Sequence, residues 1–222
     1  MKMIQKLLKI NLRSFFLNFY LLPFKQAIRF PILIARNVKI DSLYRGGVQI
    51  CSNKLKVGLI QIGYGAIGII DSRYERSILQ ISKTGKLIFS GRCFLGSGIR
   101  LVITGICEIG NNVNLSGNTS LCCYEKVKIG DESLISWDTL LMDTDFHKIY
   151  DNQKNQINSN KSIEIGKHVW IGARSTILKG SVIPDNSIIG ANSTYSGIQT
   201  EKNCIYGGSP AKLLKSNICW EQ

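Results

Sequence analysis

Residues 165–193 read IGKHVWIGARSTILKGSVIPDNSIIGANS and decide the fold. An isoleucine returns at every sixth position, and a small or β-branched residue follows each one four positions later. The isoleucines are Ile165, Ile171, Ile177, Ile183 and Ile189, and the residues that follow are Val169, Ser175, Ser181, Ser187 and Ser193. Helical periods drift out of this register within two turns. Each unit of six therefore predicts a short strand and a turn, with three units forming one coil of a parallel β-helix around an aliphatic column.

The same period occurs upstream and bounds the domain organisation. Its members are Ile109, Leu115, Leu121, Ile129, Ile135 and Leu141. We predict a β-helix over residues 38–205, with less regular coils before residue 109. The 24-residue gap between Leu141 and Ile165 has no clean aliphatic pattern, so residues 143–162 are predicted to leave the coil as a loop. Residues 206–222 are predicted to form a turn and a short C-terminal helix that opens at Ser209 and Pro210.

Residues 1–37 read as a basic, amphipathic helical segment. Eight basic residues and no acidic residue precede Asp41, within a net charge of +13. A signal peptide is disfavoured because Asn18 and Pro23 interrupt the apolar run and no small-residue cleavage site follows. The helix either lies on the inner surface of a membrane or packs on the body or on another subunit. No apolar run is long enough to predict a transmembrane helix.

The remaining composition excludes other classes of protein. The positive charge is concentrated in the N-terminal segment rather than spread over a folded face, so no nucleic-acid partner is expected. Seven cysteines without a CxxC pair predict reduced thiols in a cytoplasmic protein and no metal site.

The candidate chemistry lies at the start of the predicted loop. In an extended backbone the side chains of Asp143, Asp145 and His147 project to one side, so two carboxylates would flank one imidazole. This arrangement suits a general base that activates a hydroxyl or an amine. A solvated turn with a surface histidine is the alternative, and the loop break at this point favours the base. The second histidine, His168, lies inside a regular coil and is predicted to have a packing or surface role.

Three segments carry a resemblance to a known family: the repeat over residues 165–189, the sequence YGGSPAK at residues 206–212 and DTDFH at residues 143–147. They resemble the hexapeptide-repeat acetyltransferases, most closely the bacterial O-acetyltransferases of capsule, lipopolysaccharide or exopolysaccharide synthesis. The resemblance implies an all-β, left-handed parallel β-helix, since spacing alone does not reveal the hand. It also implies a homotrimer with acetyl-CoA between neighbouring subunits and direct acetyl transfer to the acceptor.

The resemblance further implies roles for individual residues. His147 would deprotonate a sugar hydroxyl, assisted by Asp145, and the backbone N–H of Ala173 would support the thioester oxyanion. The sequence departs from the family at residues 194–197, which read TYSG: a lysine that contacts CoA in the family is missing there, and Lys179 or Lys202 would substitute. Residues expected to bind acetyl-CoA are Trp170, Ala173, Ala191, Ser193 and Lys212, and those expected to bind the acceptor are Asn118, Trp137 and Asp143.

The expected function is acetyl-CoA-dependent O-acetylation of a sugar, a glycan or a lipid-linked glycan. Acetyl transfer to an amino sugar nucleotide or to serine is an alternative within the same fold. A non-catalytic, membrane-associated scaffold is the alternative from another class, and it predicts no binding of CoA.

Overall fold

The structure, a computed structural model, describes residues 9–65, 71 and 74–221. The part of the predicted helical segment that covers residues 1–8 therefore lies outside the described residues. The helices of the described part are α1 (Leu12–Leu21) and α2 (Phe24–Ala27). Its strands are β1 (Ile32–Ile34), β2 (Lys39–Ser42), β3 (Val48–Ile50), β4 (Ile60–Tyr64), β5 (Ile78–Ile81), β6 (Lys86–Phe89), β7 (Cys93–Gly96), β8 (Arg100–Ile103), β9 (Ile106–Ile109), β10 (Val113–Leu115), β11 (Ser120–Cys123), β12 (Lys126–Ile129), β13 (Leu134–Ile135), β14 (Leu140–Met142), β15 (Ile163–Ile165), β16 (Trp170–Ile171), β17 (Thr176–Leu178), β18 (Val182–Ile183), β19 (Ile188–Ile189), β20 (Thr194–Tyr195), β21 (Ile205–Gly208) and β22 (Ala211–Lys215).

The strands form the three sides of a prism. Sheet 1 has the order β1-β4-β7-β10-β13-β16-β19-β21-β22, sheet 2 the order β2-β5-β8-β11-β14-β17-β20, and sheet 3 the order β3-β6-β9-β12-β15-β18. From β1 to β17 each strand pairs in parallel with the third strand after it, so three strands make one coil. The predicted all-β, left-handed parallel β-helix is confirmed.

The length of each coil follows from which residues pair. Asn114 pairs with Leu134, 20 positions later, whereas Trp170 pairs with Ile188, 18 positions later. Leu134 pairs with Trp170, 36 positions later, because residues 143–162 leave the coil between them. The first coils are less regular, as predicted: their pairs include Ile32 with Ile60, 28 positions later.

The six-residue period marks the inside of the prism. Ile135, Ile171 and Ile189 are paired in neighbouring strands of sheet 1 and are fully buried. The serines four positions after the isoleucines, such as Ser175 and Ser187, are also buried. Burial of each aliphatic side chain stabilises the fold by roughly 1.5–3 kcal/mol, so the column provides most of the driving force for stacking.

Two long edges of the prism differ, and the difference matters for the site. The tight edge joins sheet 1 to sheet 2 through short turns whose backbones bond from coil to coil: Asn118 N to Ser97 O, Asp138 N to Gly117 O, Arg174 N to Trp137 O, and Asn192 N to Ala173 O. The loop edge joins sheet 2 to sheet 3, and residues 143–162 leave the prism there, between β14 and β15. A single side of the prism, formed by sheet 2, separates the two edges.

Helix α1 covers the N-terminal end of the prism. Strand β1 is an edge strand, and buried polar side chains of α1 satisfy its free backbone groups. The Asn18 side chain donates to Ile32 O (2.8 Å) and accepts from Ile32 N (3.1 Å), and the Ser14 hydroxyl accepts from Ile34 N (3.0 Å). None of the helices in the described residues has the length and hydropathy needed to span a bilayer.

Two predicted boundaries are corrected at the chain ends. The helical segment ends at Ala27, and residues 32–34, assigned above to that segment, already form β1. The predicted short C-terminal helix is wrong, because Ala211–Lys215 is strand β22, antiparallel to β21. The chain reverses after Gly208, which has a φ of 100°. Strand β21 has a free edge, and a strand that pairs with this edge forms hydrogen bonds with its backbone. A helix beside it would leave those backbone groups without partners.

Candidate functional site

The root of the loop is fixed by Asp143. This side chain is buried, and its two carboxylate oxygens accept the N–H groups of Tyr124 (2.7 Å) and Glu125 (2.8 Å) in the turn of the preceding coil. Burial raises the pKa of the Asp143 carboxyl, and these backbone N–H groups act against that rise. The expectation that Asp143 contacts a sugar or flanks His147 is therefore wrong: the carboxylate is committed to backbone groups.

Asp145 ties the loop to the following coil. Its Oδ2 accepts from Lys179 Nζ, which is largely buried, and from Asn158 Nδ2 (2.9 Å). The hydrogen bond from Lys179 lowers the pKa of the Asp145 carboxyl, and the bond from Asn158 adds to this. Lys179 Nζ also donates to the backbone carbonyls of Asn158 (2.9 Å) and Ser159 (3.1 Å). One ammonium group thus holds the outgoing and returning arms of the loop.

His147 lies on this anchored frame with its side chain exposed. Its backbone N–H donates to Asp145 O (2.7 Å), and its carbonyl accepts from Asn158 Nδ2 (2.7 Å). In the described part of the chain, neither Asp143 nor Asp145 is hydrogen-bonded to the imidazole, so the predicted flanking by two carboxylates is wrong. Asp145 positions the backbone of His147 and leaves the ring open. The ring lines a shallow cavity with Tyr124 and Phe146, whose own rings pack edge to face at 5.3 Å.

Several other predicted site residues gather at the tight edge. Asn118, Trp137, Ala173 and Ala191 lie in turns stacked from coil to coil. Across the described residues, the N–H groups of Ala173 and Ala191 have no hydrogen-bond acceptor. Lys212 lies next to this stack of turns. Tyr206 pairs with Ile189, and the residue after it, Gly207, pairs with Lys212. The tight edge thus offers two free backbone donors and, at its C-terminal end, an exposed ammonium group.

Two predicted cofactor residues have other contacts. Ser193 is buried, and its hydroxyl accepts from Gly208 N (3.0 Å), so its side chain is engaged inside the prism; a backbone contact of this residue with acetyl-CoA stays a prediction. Trp170 lies on the outer face of sheet 1 and donates from Nε1 to Ser136 Oγ (3.1 Å). It remains partly exposed beside the ring of Trp220, at 5.9 Å.

The remaining candidates have structural roles. His168 stacks on Trp220 with ring centroids 4.1 Å apart, which agrees with the predicted packing role. Lys202 is paired with Asp185 (2.9 Å), and Lys179 with Asp145, so both ammonium groups have partners within the chain; their substitution for the lysine that contacts CoA stays a prediction. The sequence does not indicate this role of Lys179, because its partners lie on the loop 20 to 34 positions earlier. The sequence likewise gives no signal for Asn158, which bonds to Asp145 and to the carbonyl of His147.

Within one protomer the site is divided. His147 lies at the loop edge, whereas Ala173, Ala191 and Lys212 lie at the tight edge, on the other side of sheet 2. The three residues of β14 that separate these edges span about 10 Å. The β-helix thus presents an exposed imidazole, that of His147, on an anchored backbone, together with a row of free backbone donors. These are the groups that a group-transfer enzyme uses.

Comparisons with known proteins agree with this class. The family described as bacterial transferase hexapeptide (six repeats) matches residues 162–194. A Klebsiella pneumoniae chain, described as an uncharacterized 24.8 kDa protein in the cps region, is 30% identical over 91% of this chain and 87% of its own length. The polysialic acid O-acetyltransferase of Neisseria meningitidis is 36% identical over 58% of each chain. The chain belongs to the hexapeptide-repeat acetyltransferase family, and it is an acyltransferase.

A solved structure supports the fold. The polySia-specific acetyltransferase aligns with 86% of this chain and 78% of its own, with a TM-score of 0.53 and 23% sequence identity. At that identity the likeness concerns the fold alone.

Proposed function

We propose that this protein transfers the acetyl group of acetyl-CoA to a hydroxyl of a cell-surface polysaccharide or its lipid-linked precursor. The relative from Neisseria meningitidis, a polysialic acid O-acetyltransferase, supports this substrate class. The observation that carries the proposal is the pair of exposed half-sites: an anchored histidine at one edge and free backbone donors at another.

The two half-sites are complementary between protomers. In the proposed homotrimer, the loop edge of one protomer faces the tight edge of the next, so that each cleft takes His147 from one chain and Ala173 from its neighbour. The pantetheine arm would lie along the tight edge, where the N–H of Ala191 has no acceptor within the described residues. The ammonium group of Lys212, at the end of this edge, suits the phosphates of CoA.

The proposed reaction is direct. The imidazole of His147 takes the proton of the acceptor hydroxyl as its oxygen attacks the thioester carbonyl. The N–H of Ala173 donates to the oxyanion of the tetrahedral intermediate. Collapse of the intermediate breaks the C–S bond, forms the acetyl ester and releases the CoA thiolate, which takes the proton from the imidazolium. The acetyl group passes directly from CoA to the acceptor, and no acyl-enzyme forms.

We place this activity in the cytoplasm. The seven cysteines are all free, and four of them, Cys93, Cys107, Cys123 and Cys204, are buried in the prism. Free thiols in this number suit a reducing compartment.

The activity is tested by following CoA release from acetyl-CoA in the presence of candidate glycans. An acetyl group that is lost from the glycan in mild alkali would identify an ester, whereas an acetyl group that stays would identify transfer to an amine. CoA alone should stabilise the fold, by ~2.7 kcal/mol at about 100 times its dissociation constant. Absence of both thermal stabilisation and CoA release would refute the proposal.

Shared clefts are tested by mixing two inactive variants. His147→Asn removes the base, and Ala173→Pro removes the backbone donor at a position where that N–H has no acceptor in the described structure. Trimers formed from an equal mixture should recover about a quarter of the wild-type activity, because a mixed trimer then contains one intact cleft. If both groups acted within one protomer, no activity would return.

A further inference from the structure

The N-terminal end of the prism carries an exposed aromatic surface. Large apolar side chains on α1 and α2 point to solvent, with Leu12 77%, Phe16 66% and Phe24 70% exposed. The opposite side of α1 is fixed, because its Ser14 and Asn18 side chains are bonded to β1. The helix therefore cannot turn these side chains inward. We call this set the aromatic patch: Leu12, Phe15, Phe16, Tyr20 and Phe24 are exposed, and Phe19, which is partly buried against the core, joins their rings.

The patch is continuous rather than a scatter of single residues. The rings of Phe15 and Phe16 are 5.8 Å apart, those of Phe15 and Phe19 4.9 Å, and those of Phe19 and Phe24 6.1 Å. Contiguous exposed apolar surface of this kind marks an interaction site in a water-soluble fold. Aromatic side chains are also those that favour the headgroup region of a bilayer.

The charges near the patch indicate which kind of partner binds it. Residues 9–36, which contain the patch, carry five exposed cations, and the first acidic residue of the chain is Asp41. A protein partner of ordinary composition would not require so one-sided a distribution of charge, whereas anionic headgroups attract exposed cations. The exposed cations within residues 9–36 are Lys9, Arg13, Lys25, Arg29 and Arg36, and of these Lys25 follows Phe24 on α2 and Arg29 lies just after α2.

We propose that the aromatic patch binds the surface of a bilayer that contains anionic lipids. The rings enter the headgroup region, and the surrounding cations contact phosphate groups. This inference extends the proposed function to a lipid-linked acceptor at the membrane. In a trimer of parallel prisms, three patches would lie at one end, and their combined binding would exceed that of a single patch.

The experiment is flotation of the full chain with vesicles of phosphatidylcholine, with or without phosphatidylglycerol. We expect binding to the mixed vesicles that weakens as salt is added. Phe16→Ser together with Phe24→Ser should weaken binding at least about tenfold, since two large exposed rings are lost. Lys25→Gln with Arg29→Gln should remove the preference for phosphatidylglycerol. Ile198→Ser is the matched control, because Ile198 is 69% exposed in a coil at the other end of the prism.

Two results would overturn the inference. The first is that the wild-type protein does not bind the vesicles, or that the double phenylalanine variant binds them as strongly as the wild type does. The second is a change in oligomeric state in that variant, measured by sedimentation velocity, which would assign the patch to a contact between chains. Activity on a soluble glycan should be equal in the wild type and the variant. Loss of vesicle binding is thereby distinguished from failure of the proposed function.

Discussion

The tight edge and the loop edge border the same sheet, yet they present different chemistry. At the tight edge the turns repeat from coil to coil, and each bonds to the one before it through the backbone. At the loop edge the repeat is interrupted, and three side chains, Asp143, Asp145 and Lys179, fix the long loop that leaves there. The regular edge supplies backbone N–H donors that repeat once per coil. The interrupted edge supplies a side chain, that of His147, on a loop that extends beyond the prism.

The largest expected effect separates the two histidines. His147→Asn should lower kcat/KM by about 10²–10⁴, the range for loss of a general base, since only this imidazole is free to meet a substrate. His168→Asn is the matched control: Asn tolerates the left-handed conformation of that residue, φ 53°, and activity should stay within a few fold. Steady-state kinetics measures both. Equal losses would remove the distinction between the edges.

Backbone contact at the tight edge is tested by two glycines. A Cβ added to Gly172 would lie 2.5 Å from Ala191 N, whereas one added to Gly190 would have its nearest neighbour at 3.6 Å. Gly172→Ala should lower the free energy of unfolding by about 1–3 kcal/mol, the usual cost of overpacking. Gly190→Ala should change it little. Denaturant titration measures both, and equal stability would show that the turns are not closely stacked.

The loop edge depends on Lys179, a positioning residue. Lys179→Met removes three hydrogen bonds to the loop and should lower kcat about tenfold through misplacement of His147, with an unchanged KM for acetyl-CoA. Lys167→Met is the control, since Lys167 is exposed and its Nζ lies 3.9 Å from Asp131. A raised KM for acetyl-CoA with normal kcat would instead return Lys179 to the cofactor site.

The smallest effect concerns acid. The pKa of Asp145 lies below its ordinary value because the ionised form is paired. The stabilisation of the loop by this pair is therefore complete above the ordinary carboxyl pKa, and is lost as pH falls through the lower pKa of the folded state. Hydrogen exchange of Ile149 N–H, which donates to Asn158 Oδ1, should report this loss relative to a core amide. In Asp145→Asn, protection should be weak at every pH.

The sequence predicts the prism better than the site. A period of six records directly which side chains point inward, and Ile171 and Ile189 are buried as that period requires. The loop was predicted from the gap in the same period. Orientation within the loop was not predictable, since Asp143 is directed by N–H groups some 20 positions earlier and Asp145 by Lys179, 34 positions later. The C-terminal strand was missed for the same reason: β21, its pairing partner, is exposed only once the prism exists.

Helix α1 has a consequence for how the protein behaves at high concentration. A stack of parallel strands ends in an unpaired row of peptide groups, which is a template for addition of another chain. Asn18 and Ser14 occupy that row on β1. Removal of α1 would therefore expose a growing end, and the shortened chain should polymerise into fibres. The same ten residues thus guard the protein against end-to-end aggregation.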